Sequence, residues 1–239
     1  MKSLYLECYS GISGDMTVAS LLDLGANKEQ LLSTLKELKI DDDYDIKISK
    51  VKKFDTIASD FDVILKKEYY DDRHLNDVLN IIDRLSNTDV KVLAKKIVNI
   101  VAESESKAHG INKEEVNFHG RGAVDSIIDI VSTAFCIVNL NIKNVYVSTL
   151  YEGTGVVHLP HKDLNVPVPA VVNIINKYNI DIKITNNIGE QITPTGAAIV
   201  AALKNKDKLP DEYMIEKTGI GAGKKYPDRA SVVKAMIIK

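Results

Sequence analysis

Apolar and polar positions follow two different periods along this chain, and they switch often. Ser3 to Tyr9 reads as a strand, and Gly11-Ile12-Ser13-Gly14-Asp15 as a sharp loop after it. Met16, Ala19 and Leu22 have helical spacing, which predicts a helix over Met16 to Leu24 ended by Gly25. Leu31, Leu32, Leu35 and Leu38 share one face of a second helix, Lys28 to Leu38. The acidic loop Asp41-Asp42-Asp43 follows. Tyr44 to Val51 and Thr56 to Leu65 then alternate in part, which predicts a hairpin.

Arg73-His74-Leu75 opens a helical region with its stripe at Leu75, Val78, Leu79, Ile82 and Leu85. Val90 to His109 is a longer amphipathic helix stopped by Gly110. Val124 to Leu140 differs, being apolar nearly all round from Ile127, as a buried helix should be. Val145 to Leu150 and Gly155 to His158 read as strands. Val166-Pro167-Val168-Pro169 is a rigid, extended lead into a helix over Ala170 to Tyr178. Thr195 is expected to cap a helix over Ala197 to Leu203, and the tail returns to strands around Met214 to Thr218 and Ser231 to Ile238, with Gly219 to Gly223 between them. Helices alternate with strands, yet the hairpin and tail point to antiparallel pairs. The expected fold class is therefore α/β (α+β), a mixed β-sheet with helices packed on it.

Composition adds mainly exclusions. The chain has 239 residues, a size that suits one domain, and a net charge of -2 with no basic, aromatic-interleaved stripe, so nucleic-acid binding has little support. No apolar run is long enough to span a bilayer, and Met1 to Cys8 does not form a secretory leader. Cys8 and Cys136 lie far apart and form no CxxC, so a disulfide framework is not expected and a cytoplasmic setting is. No Ser sits in a GxSxG turn.

Candidate chemistry gathers between His109 and His161. Asp125 and Asp129 stand four residues apart, on one face of the apolar helix, with Ser132 and Thr133 extending the polar stripe. Carboxylates in such a place need a partner or a metal. Two readings stay open: Asp125 caps the helix and Asp129 pairs with a buried Arg or Lys, or both serve a metal or proton. His109, His119, His158 and His161 all fall in loops or at element ends. Neutral imidazole is a common nitrogen ligand for Zn, Ni and Cu, though no HxxxH or HExxH compacts these four, and a lone loop His is more often a surface group. The Gly11–Asp15 loop joins strand to helix and offers backbone N–H groups to an anion, or is a tight turn with Asp15 as a capping carboxylate. Thr193-Pro194-Thr195-Gly196 has the same two readings. Lys224 and Lys225, after Gly221-Ala222-Gly223, are solvated or add cations for an anionic ligand.

Several segments together resemble the nickel-insertion proteins of the LarC type: Leu4 to Met16, Gly122 to Ile130, Val166 to Ala170, Thr193 to Ala198 and Gly219 to Gly223, in that order over essentially the whole chain. At Gly120-Arg121 the chain carries a cation where the family pattern has an acid. The resemblance implies insertion of Ni(II) into a pyridinium bisthiocarboxylic acid mononucleotide, which makes the nickel-pincer cofactor of lactate racemase-type enzymes. It implies CTP with a divalent metal (Mn or Mg) as cofactors, used by a C-terminal part to which CTP binding belongs and which is expected to lie outside residues 1–239. Its matching positions are Asp15, His109, His119, Asp125, Asp129, His161 and Thr195; joined with the local readings, the expected site has Asp125 and Asp129 in the catalytic role, Gly11, Ser13, Gly14, Asp15, Thr193, Thr195 and Gly196 on the substrate, and His109, His119, His161 and the additional His158 on the metal. The expected partners are that mononucleotide, a separately encoded C-terminal part and further copies of the chain. The competing expectation is a non-catalytic metal-binding or assembly subunit.

Overall fold

A computed structural model describes residues 2–67, 72–118, 120–159, 162–224 and 231–239. The elements, in chain order, begin with β1 (Lys2–Glu7), α1 (Gly14–Leu24), α2 (Lys28–Lys36) and the hairpin β2 (Tyr44–Lys53) with β3 (Thr56–Leu65). Next come β4 (Arg73–His74), α3 (Leu75–Ile82), α4 (Thr88–His109), β5 (Asn117–Phe118) and α5 (Gly120–Asn139). β6 (Ile142–Val147), β7 (Leu150–Thr154), β8 (Val156–Leu159), β9 (Lys162–Asn165) and α6 (Pro169–Tyr178) follow, then β10 (Ile182–Ile188), α7 (Pro194–Leu203), β11 (Ile215–Ala222) and β12 (Val232–Ile238).

Six strands form one mixed sheet in the order β2-β3-β11-β12-β1-β6. β1 pairs antiparallel with β12 and parallel with β6, so the mixed α/β expectation holds. Helices stack on one face. α1 packs against β3, β11 and β12, α5 packs on α1, and α4 packs on α5 with α6 and α7 beside it. α5 is therefore enclosed between helices, and that enclosure is why its sequence is apolar all round: Val124, Ile127, Ile128, Ile130 and Val131 are almost fully buried. A small second cluster of Tyr5, Met236 and Ile238, with Tyr146, Leu209 and Tyr213, lies apart from this main core.

The contact between α1 and the sheet depends on bare backbone. A Cβ on Gly221 would lie 2.0 Å from the Met16 carbonyl oxygen, and one on Gly219 would lie 2.2 Å from that of Ser20. These glycines are read from sequence as a turn between strands. They belong to β11, where the absent side chains let α1 settle onto the strand. Asp23 on α1 reinforces the contact by accepting from the Ile220 N–H at 2.9 Å and the Ser59 hydroxyl at 3.1 Å.

Other boundaries also move. The expected strand Val145 to Leu150 is two: Ser148 interrupts it, donating its N–H to the Leu6 carbonyl and accepting the Cys8 N–H on its hydroxyl. The second piece, β7, pairs in parallel with β10, a strand that polar, exposed Lys183, Asn186 and Asn187 hide from pattern reading. α5 begins at Gly120, so Asp125 stands inside the helix and does not cap it. α7 begins at Pro194. Its cap is Thr193, whose hydroxyl accepts the Gly196 N–H at 3.1 Å, and Thr195 lies within the first turn. Cys8 and Cys136 are both buried free thiols, and burial pushes both up. No helix among the described residues is long and apolar enough to cross a membrane.

Candidate functional site, an acid-lined cleft

The head of α1 meets α5 at very close range. A Cβ on Gly14 would lie 2.4 Å from Asp129 Oδ2 and 2.6 Å from the Asp129 Cβ, so only glycine admits the carboxylate here. Asp129 accepts the backbone N–H of Asp15 and is buried. Its other oxygen, Oδ1, has no hydrogen-bond partner among the described residues, and neither do the buried hydroxyls of Ser132 and Thr133 behind it on α5. Burial, then the charges of Asp125 and Asp15, push the Asp129 carboxyl well above the usual range, against the pull of Lys224 and the Asp15 N–H.

Asp15 is one step further out. Its Oδ1 accepts the Ser13 hydroxyl and the Met16 N–H. The positive end of α1 is thus turned on the chain's own carboxylates. Asp125, one turn before Asp129, opens to solvent, yet protein crowds its carboxyl. That crowding and the neighbouring Asp15 raise its pKa to about 6. Asp62 on β3 and Lys224 beyond β11 close the other side. Lys224 Nζ donates to Asp62 Oδ1 at 2.6 Å and to the Phe61 carbonyl at 2.9 Å, and lies 4.0 Å from Asp15 Oδ2. Asp15, Asp62, Val63, Ile64, Leu65, Asp125 and Lys224 line a cleft of about 490 Å³. In a second hollow of about 500 Å³ near α3, Arg73 and Lys67 bond Asp43, and Arg84 bonds the Leu38 carbonyl.

The remaining candidate residues fall into three places. Gly11, Ser13, Thr193 and Gly196 form a tightly docked pair of loops. Ile12 donates to the Gln191 carbonyl at 2.9 Å and accepts from Thr193 N–H at 3.1 Å. A Cβ on Gly11 would meet the Gln191 oxygen at 2.1 Å, and one on Gly196 would meet the Ile12 oxygen at 2.2 Å. Thr195, partly buried, sits on that same N-terminal turn of α7. Underneath, the buried Glu152 accepts N–H groups from Gln191 at 2.6 Å, Gly153 at 2.7 Å and Ile192 at 3.3 Å. His109 ends α4, with Nε2 3.5 Å from Glu105, and His158 stands exposed on β8, with Nδ1 2.8 Å from Asp163. Neither lines the cleft. His119 and His161 lie outside the described residues. Among the described residues, no three His, Cys, Asp or Glu side chains converge as a ready-made metal set. The cleft carboxylates surround a space and do not close on one point.

Asp62, Lys224 and Glu152 are the residues that sequence reasoning passes over or misplaces. Asp60 and Asp62 alternate around the buried Phe61 on an otherwise apolar strand, which is the one local signal for Asp62. Lys224 faces the chain's own carboxylates, Asp62 and Asp15. Glu152 has no local signal at all.

Fold and site together define an α/β protein with an acid-lined cleft where the first helix meets a buried one. The pattern of the nickel insertion protein family matches residues 4–239, and the chain belongs to that family. It is similar to the pyridinium-3,5-bisthiocarboxylic acid mononucleotide nickel insertion protein of Alkaliphilus metalliredigens, at 47% identity over 256 aligned positions, covering 100% of this chain and 61% of that one. The protein of the same description from Acetivibrio thermocellus is 38% identical, covering 99% and 60%. That of Clostridium acetobutylicum is 34% identical, covering 99% and 64%. The chain therefore spans about three-fifths of the length of these relatives. No solved structure matches it.

Proposed function

We propose that this chain carries Ni(II) in the acid-lined cleft and delivers it to a pyridinium bisthiocarboxylic acid mononucleotide. One observation carries the reading: Asp129 keeps a buried carboxylate oxygen without a partner among the described residues, against Asp15 and Asp125, in a chain of the nickel insertion family. A buried carboxylate without a cation is costly, and a divalent ion supplies what is missing. Carboxylate oxygens are hard donors. The thiocarboxylate sulfurs of the substrate are soft and draw nickel away from them, which gives the transfer its direction. Asp15, Asp125 and Asp129 hold the ion directly or through water, with His119 and His161 as candidate nitrogen ligands. His109 and His158 are weaker candidates, since each faces its own carboxylate.

The substrate phosphate binds at the first turn of α7, beside the Gly11–Asp15 loop, through Thr195, with Thr193 and Gly196 holding that turn in place by their cap bond. The start of α1 is the poorer anion site, because its Asp15 and Met16 N–H groups already serve carboxylates. CTP and its divalent metal are assigned to a C-terminal part, which the greater length of the relatives leaves room for. The second reading, a metal-holding subunit that needs a separate C-terminal part, draws on the same length difference. Nickel transfer to the purified mononucleotide, with and without CTP and Mg(II), tests both. Transfer by the 239-residue chain alone supports the first reading. Transfer only after a C-terminal part is added supports the second. Calorimetric Ni(II) binding that is the same in wild type, Asp125→Asn and Asp129→Asn removes the cleft from either.

A further inference from the structure

Among the described residues that line the cleft, Lys224 is the one cation facing Asp15, Asp62 and Asp125. Burial opposes its charge, but the Asp62 hydrogen bond and the charges of Asp15, Asp62 and Asp60 outweigh it and raise its pKa. Its Nζ donates to Asp62 Oδ1 at 2.6 Å and to the Phe61 carbonyl at 2.9 Å. Its position is not accidental to the fold. Lys224 follows closely on β11, and β11 is seated by Gly219 and Gly221 on α1, the helix whose first turn holds Asp15. The same backbone contact sets both partners, and it leaves Nζ 4.0 Å from Asp15 Oδ2. Deeper in the same site, Asp129 Oδ1 is buried without a partner among the described residues. The lysine offsets part of the charge of the outer carboxylates and does not reach Asp129 Oδ1, which has no partner among the described residues.

We propose that Lys224 is a built-in competing cation: its ammonium occupies the acid cleft until the incoming metal ion displaces it, and returns as the metal leaves. The inference rests on the reading of the cleft as the nickel carrier. The exchange is one of coordination and hydrogen bonding only. Metal–oxygen contacts to Asp15 and Asp125 form as the Nζ ion pair with Asp15 and the Nζ–H···O bond to Asp62 loosen, the proton stays on Nζ, and no redox change occurs. A tethered ammonium has a high effective concentration at its own carboxylates, so it returns faster than any salt ion. It lowers nickel affinity and eases release, which suits a site that must give its metal away.

The test is calorimetric titration of Ni(II) alone into the 239-residue chain at low ionic strength, for wild type, Lys224→Met and Lys224→Arg. Removing one positive charge a few ångströms from a dication is expected to tighten binding about tenfold in Lys224→Met, with Lys224→Arg within about threefold of wild type because the charge is kept. Equal or weaker binding in Lys224→Met overturns the inference while leaving the cleft a nickel site. Absence of Ni(II) binding in wild type overturns the nickel reading itself, and the inference with it. A measurement on wild type avoids any folding defect in the variants. Acetic anhydride should modify Lys224, followed by peptide mass spectrometry, several-fold faster with Ni(II) bound, because the amine is released. An unchanged or slower rate overturns the proposal.

Discussion

Replacing Asp129 by asparagine should make the protein more stable at alkaline pH and leave it nearly unchanged in acid. The Asp129 carboxyl is buried beside Asp125 and Asp15 and is held well above the ordinary range. A raised carboxyl pKa means that the folded chain keeps a proton which the unfolded chain gives up. The stability linked to that proton is fully present below the unfolded pKa of about 4, and is lost as pH climbs toward the raised folded value. The asparagine side chain would carry no charge, still offer an acceptor to the Asp15 N–H, and differ little in volume from the aspartate it replaces. Relief of one buried charge with an unpaired oxygen amounts to about 2 kcal/mol, from the usual penalty of roughly 1–3 kcal/mol for an unsatisfied buried group. For a chain of this size that corresponds to about 4–8 °C in Tm. Urea unfolding of both proteins at about pH 4.5, near the start of the window, and at about pH 8, well above the unfolded pKa, measures it. An asparagine variant less stable than wild type in the alkaline buffer, or a difference that does not grow with pH, would refute the argument. Nickel adds a second reading of the same experiment. Ligand at a hundredfold excess over Kd stabilises a protein by about 2.7 kcal/mol, and that gain should shrink in the asparagine variant.

Glu152→Ala leaves the N–H groups of Gly153, Gln191 and Ile192 without their acceptor. It is expected to cost about 3 kcal/mol, with amide exchange at Gln191 and Ile192 accelerated well before global unfolding. Thr193→Ala removes the cap of α7 and should cost about 1 kcal/mol by denaturant titration, whereas Thr195→Ala should cost less than about 0.5 kcal/mol. The reverse order would return the cap to Thr195.

Amphipathic helices with marked ends were the legible part of this fold. α4 carries its stripe between Asn87, whose side chain accepts the Val90 N–H, and the left-handed Gly110, and both signals can be read locally. β10 was not legible, because its polar residues gain strand geometry only from the distant β7. The cap of α7 was misplaced by two residues although Pro194, at the first helical position, points to Thr193 before it. In the cleft, Asp125 and Asp129 stood out because an i,i+4 carboxylate pair contradicts an otherwise apolar helix. Asp62 did not, and neither did its pairing with Lys224, since 162 residues separate the two and only the pairing of β3 with β11 draws them together. Glu152 was hidden for another reason. Its partners are backbone N–H groups, which have no sequence identity.

The sheet order carries a consequence for how the chain is made. β1, residues 2–7, lies between β6 and β12, and its antiparallel partner spans residues 232–238. At the usual rate of roughly 5–20 residues per second, a ribosome takes on the order of tens of seconds to go from one to the other. β1 can pair with β6 only once residues 142–147 are made, its other edge stays bare until β12 follows, and β11 has no neighbour to join it to β1 until then. The helix layer can gather early, but the central sheet cannot zip until its last strand is synthesised. Slowly translated messages, or strains short of nascent-chain chaperones, should lose this protein first as aggregates that pair through β1.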